Sequence, residues 1–348
     1  MPLISLRQIL DHAAEHSYGL PAFNVTNLET IHAVLQAADK TNSPVILQAS
    51  QSARTYMDDT FLKHLIRASV ELYPHLPICF HQDHGSSPAV CERAMNLGFS
   101  SVMMDGSLMA DGKTPSDFSY NVQVTAETVR SAHQRGISVE GEIGVLGSLE
   151  SGSGEQEDGH GFEGKLEKDA LLTDPEEAAR FFEATGVDAL AVAIGTSHGA
   201  YKFSKKPTSE TLAMSVIEAI HERLPNTHLV MHGASSVPEE LQQLINEYGG
   251  EIQPTYGVPL EEIVRGIKSG VRKVNIDTDL RMAFTGAVRR QLSRGKASFD
   301  IRAILKPAVA LMKEQCEIRF EMFGCTGQAS KITPLSLEEM AQIYFPPA

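Results

Sequence analysis

The sequence predicts an α/β protein built as a (β/α)8 barrel, with an extra N-terminal helix and additional C-terminal helices. Eight short apolar runs alternate with segments whose apolar residues recur every three to four positions, as in amphipathic helices. The runs are continuously apolar, which is typical of parallel strands covered on both faces. Polar residues follow almost every run. This pattern favours a barrel over an open doubly wound sheet, whose site gathers at one switch point.

Each predicted strand is a short run of aliphatic, aromatic or β-branched residues that ends at a turn residue or a polar cluster. Pro44 and Pro77 stand directly before the second and third runs, where a proline cannot continue a preceding helix. No lysine lies within the eight runs. In chain order, the predicted strands are Leu20–Val25, Val45–Ala49, Ile78–Gln82, Ser101–Met104, Ser138–Glu142, Ala189–Ile194, Leu229–Met231 and Val274–Ile276.

The predicted helices lie before, within and after the barrel. The clearest are Leu6–Glu15 before it, Leu28–Ala38, Phe61–Leu72, Ala89–Leu97 and Glu210–Leu224 within it, and Ile301–Phe323 and Leu335–Tyr344 after it. The last two form a C-terminal extension from about residue 300. One segment interrupts the alternation: residues 144–166 are rich in glycine and acidic residues, which predicts a mobile loop over the active site. We expect a single domain over residues 1–348.

Charge and cysteine content exclude several classes of protein. The 348 residues carry a formal net charge of −14, which argues against a nucleic-acid partner and an anionic membrane surface, because both need a basic face. The four cysteines lack C-x-x-C spacing, so neither a disulfide framework nor a thiolate zinc site is indicated. No apolar run approaches the length of a membrane span. We therefore expect a reduced cytoplasmic protein with neither kind of partner.

Three strand ends carry a histidine that is followed by glycine. They are His84 after the third apolar run, His198 after the sixth and His232 after the seventh. The carboxyl ends of barrel strands meet at one mouth, so the three imidazoles should converge. Three neutral imidazoles that leave a coordination position open make a catalytic zinc site, which can polarise a carbonyl. The sequence therefore predicts a zinc centre.

Carboxylates accompany this centre. Asp83 directly precedes His84 and could move a proton beside the metal. Asp105 and Glu142 end the fourth and fifth strands, and two interpretations of them stay open. They hold a second or alternate metal ion, or they orient the ligating histidines through hydrogen bonds. Glu140 lies on the same strand face as Glu142 and is the weaker candidate.

The loops after the seventh and eighth strands are expected to bind an anion. The small-residue turn Gly233–Ser236 opens a helix, so free backbone N–H groups should face outward. Asn275–Asp279 follows the eighth strand. In (β/α)8 barrels, these two loops form a recurrent phosphate site. The alternative is ordinary helix capping by Ser236 and Thr278, but the presence of two adjacent anion-binding loops, or phosphate cradles, favours a phosphate site.

Longer motifs surround these residues. They are His81-Gln-Asp83-His84-Gly85, Gly195-Thr-Ser-His198-Gly199-Ala-Tyr-Lys202, His232-Gly-Ala-Ser235 and Val274-Asn-Ile-Asp-Thr-Asp279. In combination they resemble the class II fructose-1,6-bisphosphate aldolases from Leu6 to about Lys331. Residues 144–150 and 331–332 are similar to the subtype associated with the Calvin cycle. The resemblance implies a cytoplasmic lyase that reversibly cleaves fructose 1,6-bisphosphate to dihydroxyacetone phosphate and glyceraldehyde 3-phosphate in glycolysis, gluconeogenesis or the Calvin cycle.

The resemblance also implies roles for individual residues. His84, His198 and His232 match the catalytic zinc ligands, Asp83 matches the proton donor, and Asp105 and Glu142 match a second or alternate zinc position. A monovalent cation is implied as a further cofactor. Arg281 corresponds to an arginine that reaches the substrate of a neighbouring subunit, which implies a homodimer or homotetramer. The residues expected to contact the phosphorylated sugar are Ser50, Gly199, Lys202, Gly233, Ala234, Ser235, Asn275, Ile276, Asp277, Thr278 and Arg281.

Alternatives remain. A tagatose-bisphosphate aldolase would differ only in the configuration at C4. A metal-dependent hydrolase on the same barrel would use zinc to activate water, but two phosphate cradles favour a bisphosphate. A non-catalytic barrel is disfavoured by Asp83 and the three histidines. A Schiff-base aldolase is disfavoured because no lysine lies in a predicted strand, and Lys202 suits a phosphate contact better. The group that reprotonates the enediolate stays open between Glu142 and Glu150.

Overall fold

The computed structural model describes residues 3–150, 160–162, 164–167, 171–199, 201–207 and 212–346. Its strands are β1 Leu20–Asn24, β2 Val45–Ala49, β3 Ile78–Gly85, β4 Ser101–Met104, β5 Ser138–Ile143, β6 Ala189–Val192, β7 His228–Met231 and β8 Val271–Ile276. They pair in parallel, in chain order, and β8 pairs with β1 to close the barrel. The predicted (β/α)8 barrel is confirmed.

Helices surround this barrel and extend beyond it. They are α1 Leu6–Glu15, α2 Leu28–Thr41, α3 Gln51–Met57, α4 Asp59–Leu72, α5 Pro88–Leu97, α6 Phe118–His133, α7 Pro175–Thr185, α8 Met214–Arg223, α9 Glu239–Glu247, α10 Leu260–Lys268, α11 Thr278–Arg294, α12 Ile301–Met322 and α13 Leu337–Tyr344. The extra helix α1 contacts β3, β5, β7 and β8, whereas α12 packs on α2 and α11. No helix in the described part of the chain is long and apolar enough to cross a membrane.

Strand β3 is longer than predicted and includes Asp83 and His84. Its pairing with β4 shifts register between Gln82 and Gly85, and His84 has a φ of 45°, a left-handed conformation that residues other than glycine rarely adopt. A Cβ on Gly85 would lie 2.6 Å from the carbonyl oxygen of Met103, so only glycine fits after this histidine. The prediction that the strand ends at Gln82 is wrong, because the polar residues find partners inside the barrel mouth.

Strand β8 begins three residues before the predicted Val274 and therefore contains Lys273. This lysine is fully buried. Its ammonium group lies 2.9 Å from Oε2 of Glu140 on β5 and donates to Oδ1 of Asn275 at 2.7 Å. A lysine is almost never fully buried unless it is paired, and the sequence does not show that Glu140 faces it. The predicted runs contain no lysine, but β8 as it forms is longer than its predicted run and does contain one.

The predicted loop at residues 144–166 lies partly outside the described residues, which omit 151–159 and 163. Within its described part, the N–H of Leu149 donates to the carbonyl of Gly195 after β6. The N–H of Gly161 donates to the carbonyl of Gly112 in the loop after β4, at 2.9 Å. Both ends of the predicted loop thus contact neighbouring βα loops.

Candidate active site

A cavity of about 580 Å³ opens at the carboxyl ends of the strands. Its volume is typical of a small-molecule site. Most of the predicted site residues line it: Ser50, Asp83, His84, His198, Lys202, Gly233, Ser235, Asn275, Asp277 and Thr278. The predicted residues that do not line it are Asp105, Glu142, Gly199, Ala234, Ile276, Arg281 and His232. Of these, Ala234 and Ile276 are fully buried beside it.

Three imidazoles converge at this mouth, as predicted. Nε2 of His84 lies 3.0 Å from Nδ1 of His232, and the ring of His198 is centred 4.9 Å from that of His84. One nitrogen from each of the three histidines lies within 4.8 Å of the others. Nitrogen donors at this spacing need only small shifts to share one divalent ion. The three side chains therefore fit a metal site.

Two of these histidines are oriented by carboxylates on their far edges. Nδ1 of His84 lies 2.9 Å from Oδ2 of Asp105, and Nε2 of His232 lies 2.8 Å from Oε1 of Glu140. Such contacts fix which ring nitrogen faces a metal. Glu140, which the sequence left as the weaker candidate, thus has an orienting contact of its own.

The electrostatics of the centre differ from one imidazole to the next. Burial lowers the pKa of His232 well below its ordinary value, so this ring is neutral. Burial also lowers the pKa of His84, but the charge of Asp83 and the bond to Asp105 outweigh it and raise that pKa to about 10. The carboxylates around His84 therefore stabilise a positive charge, and the same carboxylates would stabilise a bound metal cation.

Asp83 lies at the centre of an amide network. Its carboxylate accepts from Nδ2 of Asn24 at 2.9 Å, from Nε2 of Gln48 at 3.2 Å and from Nδ2 of Asn275 at 3.2 Å. Lys273 donates to the amide oxygen of Asn275 and thereby turns the amide nitrogen toward Asp83. The buried ammonium thus helps to position the carboxylate that faces the cavity.

The turn after β7 follows the prediction only in part. Gly233 has a φ of 61°, and a Cβ there would lie 2.5 Å from the carbonyl oxygen of Ser197, so glycine is required. However, the N–H groups of Ser236 and Val237 donate to the carboxylate of Asp279 at 3.1 and 2.8 Å. The expectation of free N–H groups is therefore wrong for Ser236, because a buried carboxylate occupies that end of the turn.

The remaining predicted residues are placed as follows. Oγ of Ser50 caps α3 by accepting the N–H of Ala53 at 3.1 Å. The carbonyl of Gly199 accepts from Oγ1 of Thr278 at 3.3 Å. The guanidinium of Arg281 pairs with Asp277 at 2.7 Å, and its side chain is 43% exposed.

The two carboxylates suggested for reprotonation lie in different places. Glu142 is buried beside the histidines, where burial and the charge of Asp105 raise its pKa well above the ordinary range. Glu150 accepts the N–H of Ser204 at 2.9 Å and does not line the cavity. Glu142 also lies outside this cavity, but it lines a smaller one with His84 and His198, so it is the carboxylate nearer to the histidines.

Three polar residues near the centre are not among those predicted from the sequence: Asn24, Gln48 and His160. Asn24 is the last residue of β1, and Gln48 is the next to last of β2. A polar residue near the end of an apolar run is a signal that identifies both. His160 is followed by glycine, like the three histidines that were selected, but it lies in the glycine-rich loop and not at a strand end.

Comparison with known proteins decides the family. A model of the family described as fructose-bisphosphate aldolase class-II matches residues 4–328. The chain belongs to this family. The fructose-bisphosphate aldolase from Nostoc commune is 64% identical to this class II aldolase over 344 residues, which are 99% of this chain and 96% of the relative. The fructose-bisphosphate aldolase from Pseudomonas aeruginosa is 62% identical over 344 residues, which are 99% of this chain and 97% of the relative. The protein is therefore a metal-dependent lyase of phosphorylated sugars, as the resemblance implied.

Solved structures agree with this assignment. The YdjI aldolase from Escherichia coli is 27% identical to this class II aldolase and superposes on it with a TM-score of 0.70. The superposition covers 94% of this chain and 99% of that chain. The fructose-bisphosphate aldolase from Campylobacter jejuni is 22% identical, with a TM-score of 0.68 over 93% and 96% of the two chains, and supports the fold.

Proposed function

We propose that this class II aldolase reversibly cleaves fructose 1,6-bisphosphate with a zinc ion held by His84, His198 and His232 and with Asp83 as the proton-transfer group. The observation that carries the proposal is the position of Asp83. Its carboxylate lines the same cavity as His84 and His198 and lies 3.9 Å from Nε2 of His84. Imidazole donors suit zinc, which would act as a Lewis acid on the substrate carbonyl.

Asp83 is suited to accept the proton of the C4 hydroxyl while the C3–C4 bond breaks. Burial raises the pKa of Asp83, but attraction from His84 and Lys273 and the hydrogen bond from Asn24 lower it below the ordinary value. The carboxylate is therefore ionised at neutral pH and ready to act as a base. In the condensation direction, the same group returns the proton to the aldehyde oxygen.

The loops after β7 and β8 suit the phosphate of dihydroxyacetone phosphate. Ser235, Asp277 and Thr278 line the cavity together with Lys202, which is buried and donates to the carbonyl of Ser197 at 2.5 Å. A lysine held in the loop after β6 offers a point charge to a phosphate group. Ser50 lies on the same cavity at the end of β2 and suits the aldehyde side.

We extend the proposal to a homodimer or homotetramer, because Arg281 is well placed to meet a second subunit. It lies in the first turns of α11, pairs with Asp277 of the cavity wall and keeps 43% of its side chain exposed. Sedimentation analysis should therefore find at least a dimer. If a monomer retains full activity, Arg281 does not contribute to the active site of a neighbouring subunit.

A coupled assay tests the proposed function directly. Purified enzyme should cleave fructose 1,6-bisphosphate faster than tagatose 1,6-bisphosphate, lose activity in EDTA and regain it with zinc. Faster cleavage of the tagatose substrate would reassign the stereochemistry at C4, and activity that survives complete removal of metal would overturn the zinc site. Release of inorganic phosphate in place of triose phosphates would favour the hydrolase alternative.

A further inference from the structure

A buried arginine that does not line the substrate cavity contacts the strand that carries Asp83. Arg54 lies in α3, and only 3% of it is exposed. Nη1 of its guanidinium lies 2.5 Å from Oε1 of Gln82 in β3 and 3.4 Å from the carbonyl oxygen of Val90. Nε and Nη2 donate to the two carboxylate oxygens of Asp59 at 3.2 and 3.3 Å. A planar guanidinium with these partners is fixed in one orientation.

The arginine decides which way the side-chain amide of Gln82 points. An arginine side chain only donates hydrogen bonds, so the amide oxygen of Gln82 must face Arg54. The amide nitrogen then faces the main chain and donates to the carbonyl oxygen of Asp83 at 2.7 Å. Gln82 is fully buried, so a reversed amide would bring two donors together at one end and two acceptors together at the other, without water to separate them.

The hydrogen bond from Gln82 lies where β3 departs from regular pairing. The register between β3 and β4 shifts between Gln82 and Gly85, and His84 in this interval has a φ of 45°. Backbone strain of this kind persists only where the surrounding contacts hold the chain. The bond from Gln82 to the carbonyl of Asp83 is such a contact. It acts on the same residue whose carboxylate faces the substrate cavity.

Helix α3 depends on the same arginine for its attachment to the barrel. It has seven residues, of which Ala53 and Arg54 are buried. A helix this short is marginal without tertiary contacts, and one alanine contributes little apolar packing. Gln51 and Thr55 of this helix line the substrate cavity and also a separate cavity of about 480 Å³. Helix α3 is therefore part of the wall of two cavities, and Arg54 joins it to β3.

We propose that Arg54 is a positioning residue that, through Gln82, fixes the peptide carrying Asp83 and ties α3 to it. The inference rests on the proposed function, in which Asp83 transfers the proton and α3 lies on the aldehyde side of the cavity. A displacement of about 1 Å at a reacting group can lower the rate about 10²-fold. Loss of Arg54 should therefore slow cleavage without removing any group that touches the substrate.

Cleavage and exchange rates on matched variants test the proposal, measured at saturating zinc and expressed per bound zinc. Arg54→Met removes the guanidinium. Gln82→Glu keeps a partner for Arg54 but replaces the donor to the carbonyl of Asp83 with a carboxylate oxygen. Each variant should lower kcat for cleavage of fructose 1,6-bisphosphate roughly 10–100-fold. Each should slow the exchange of solvent deuterium into dihydroxyacetone phosphate less, because Asp83 is not the group assigned to that exchange.

A double variant and an exposed control separate the route through Gln82 from a general loss of stability. Arg54→Met combined with Gln82→Met should cleave about as slowly as the slower single variant, because residues that act as one unit are not additive. Arg93→Met removes a guanidinium that is 73% exposed from the same Asp59 carboxylate. It should leave both rates within about twofold of wild type, since an exposed pair contributes little.

Each outcome decides the matter. If Arg54→Met unfolds more easily in urea but cleaves as fast as wild type, Arg54 has only a structural role and the inference is overturned. Equal losses of cleavage and exchange would overturn it as well, and effects that multiply in the double variant would overturn the route through Gln82. If Arg54→Met does not fold, Gln82→Glu decides alone.

Failure of the proposed function gives a different result. Wild-type protein would then not cleave fructose 1,6-bisphosphate, or Asp83→Ala would cleave it as fast as wild type. In either case there would be no proton-transfer carboxylate for Arg54 to position, and the inference would fall with the proposed function. Normal cleavage by wild type, slow cleavage by Asp83→Ala and normal cleavage by both Arg54→Met and Gln82→Glu would overturn the positioning role alone.

Discussion

One guanidinium nitrogen of Arg319 lies 2.8 Å from Oδ2 of Asp279, and both side chains are buried. The same nitrogen donates to Oγ of Ser236 at 2.6 Å. Asp279 in turn accepts the N–H of Val237, whose φ of 48° is unusual for a β-branched residue. Helix α12, which lies outside the barrel repeat, thus holds the turn that follows β7 at the substrate cavity.

We predict that Arg319→Met weakens substrate binding more than it slows catalysis. Without the guanidinium, the buried Asp279 carboxylate is unpaired, the turn at 233–237 loosens, and stability falls by about 3–5 kcal/mol. The KM for fructose 1,6-bisphosphate should rise roughly tenfold, which corresponds to about 1.4 kcal/mol of lost binding. Steady-state kinetics with unfolding in urea measure both. Arg302→Met, at the exposed start of the same helix, is the control, and an unchanged KM in Arg319→Met would contradict the prediction.

We predict that removing one partner of the buried pair of Lys273 and Glu140 costs more stability than removing one partner of the exposed pair of Arg265 and Glu218. Lys273→Met leaves the Glu140 carboxylate buried without its cation and should lower the free energy of unfolding by about 3–5 kcal/mol. Arg265→Met, which removes the partly exposed pair with Glu218, should lower it by about 1 kcal/mol or less.

The double variant Lys273→Met with Glu140→Gln separates stability from metal binding. It should regain much of the lost stability, because no buried charge is left unpaired. It should nevertheless bind zinc about 10–100-fold more weakly, because His232 loses the carboxylate that orients it. Equal effects of Lys273→Met and Arg265→Met on the unfolding midpoint would show that the barrel interior tolerates an unpaired Glu140 carboxylate.

We predict that Asp83→Ala retains the metal and still binds dihydroxyacetone phosphate. Carbon–carbon cleavage should fall roughly 10²–10⁴-fold, the usual effect of losing a positioned general base. Exchange of solvent deuterium into dihydroxyacetone phosphate should fall less, because that exchange takes place at the carbon that becomes C3 of the ketose. Asp83 acts on the C4 hydroxyl instead. If exchange and cleavage decline equally, or if zinc is lost, Asp83 supports the metal and does not transfer the proton.

We predict that borohydride does not trap a covalent adduct between substrate and enzyme. Lys273 is buried inside the barrel, where the lysine of a Schiff-base mechanism could lie, but it is held by Glu140 and by Asn275. Both contacts engage its side-chain nitrogen, and Lys273 does not line the substrate cavity, so it is not placed to attack a substrate carbonyl. Mass spectrometry after borohydride treatment should find unmodified Lys273, whereas EDTA should abolish cleavage. A substrate-derived mass on this lysine would reverse the mechanistic class.

The sequence predicts the residues at strand ends well, because a polar cluster after an apolar run is a local signal. His84, His198 and His232 are of this kind, and the structure brings them together. The charged residues inside the barrel could not be predicted in the same way. Lys273 and Glu140 are far apart in sequence, and their burial is favourable only because the closed barrel places them within 2.9 Å of each other.

A similar limit applies to residues that act from outside the barrel repeat. The bond from Arg319 to Asp279 joins α12 to the start of α11, and no local pattern in the sequence connects those positions. His160 lies in a segment without regular periodicity, where a histidine followed by glycine is weak evidence by itself. In both cases the information lies in a tertiary contact, which the periodicity of single segments does not contain.

The pairing of β1 with β8 determines when the site can mature during synthesis on the ribosome. Glu140 and His232 are translated well before Lys273. At a synthesis rate of about 5–20 residues per second, Lys273 is added on the order of ten seconds after Glu140. Until β8 is in place, the Glu140 carboxylate must stay hydrated, and the wall behind His232 stays open to water. The wall of the metal site behind His232 is therefore completed only after β8, the last strand of the barrel, has been translated and has paired with β1.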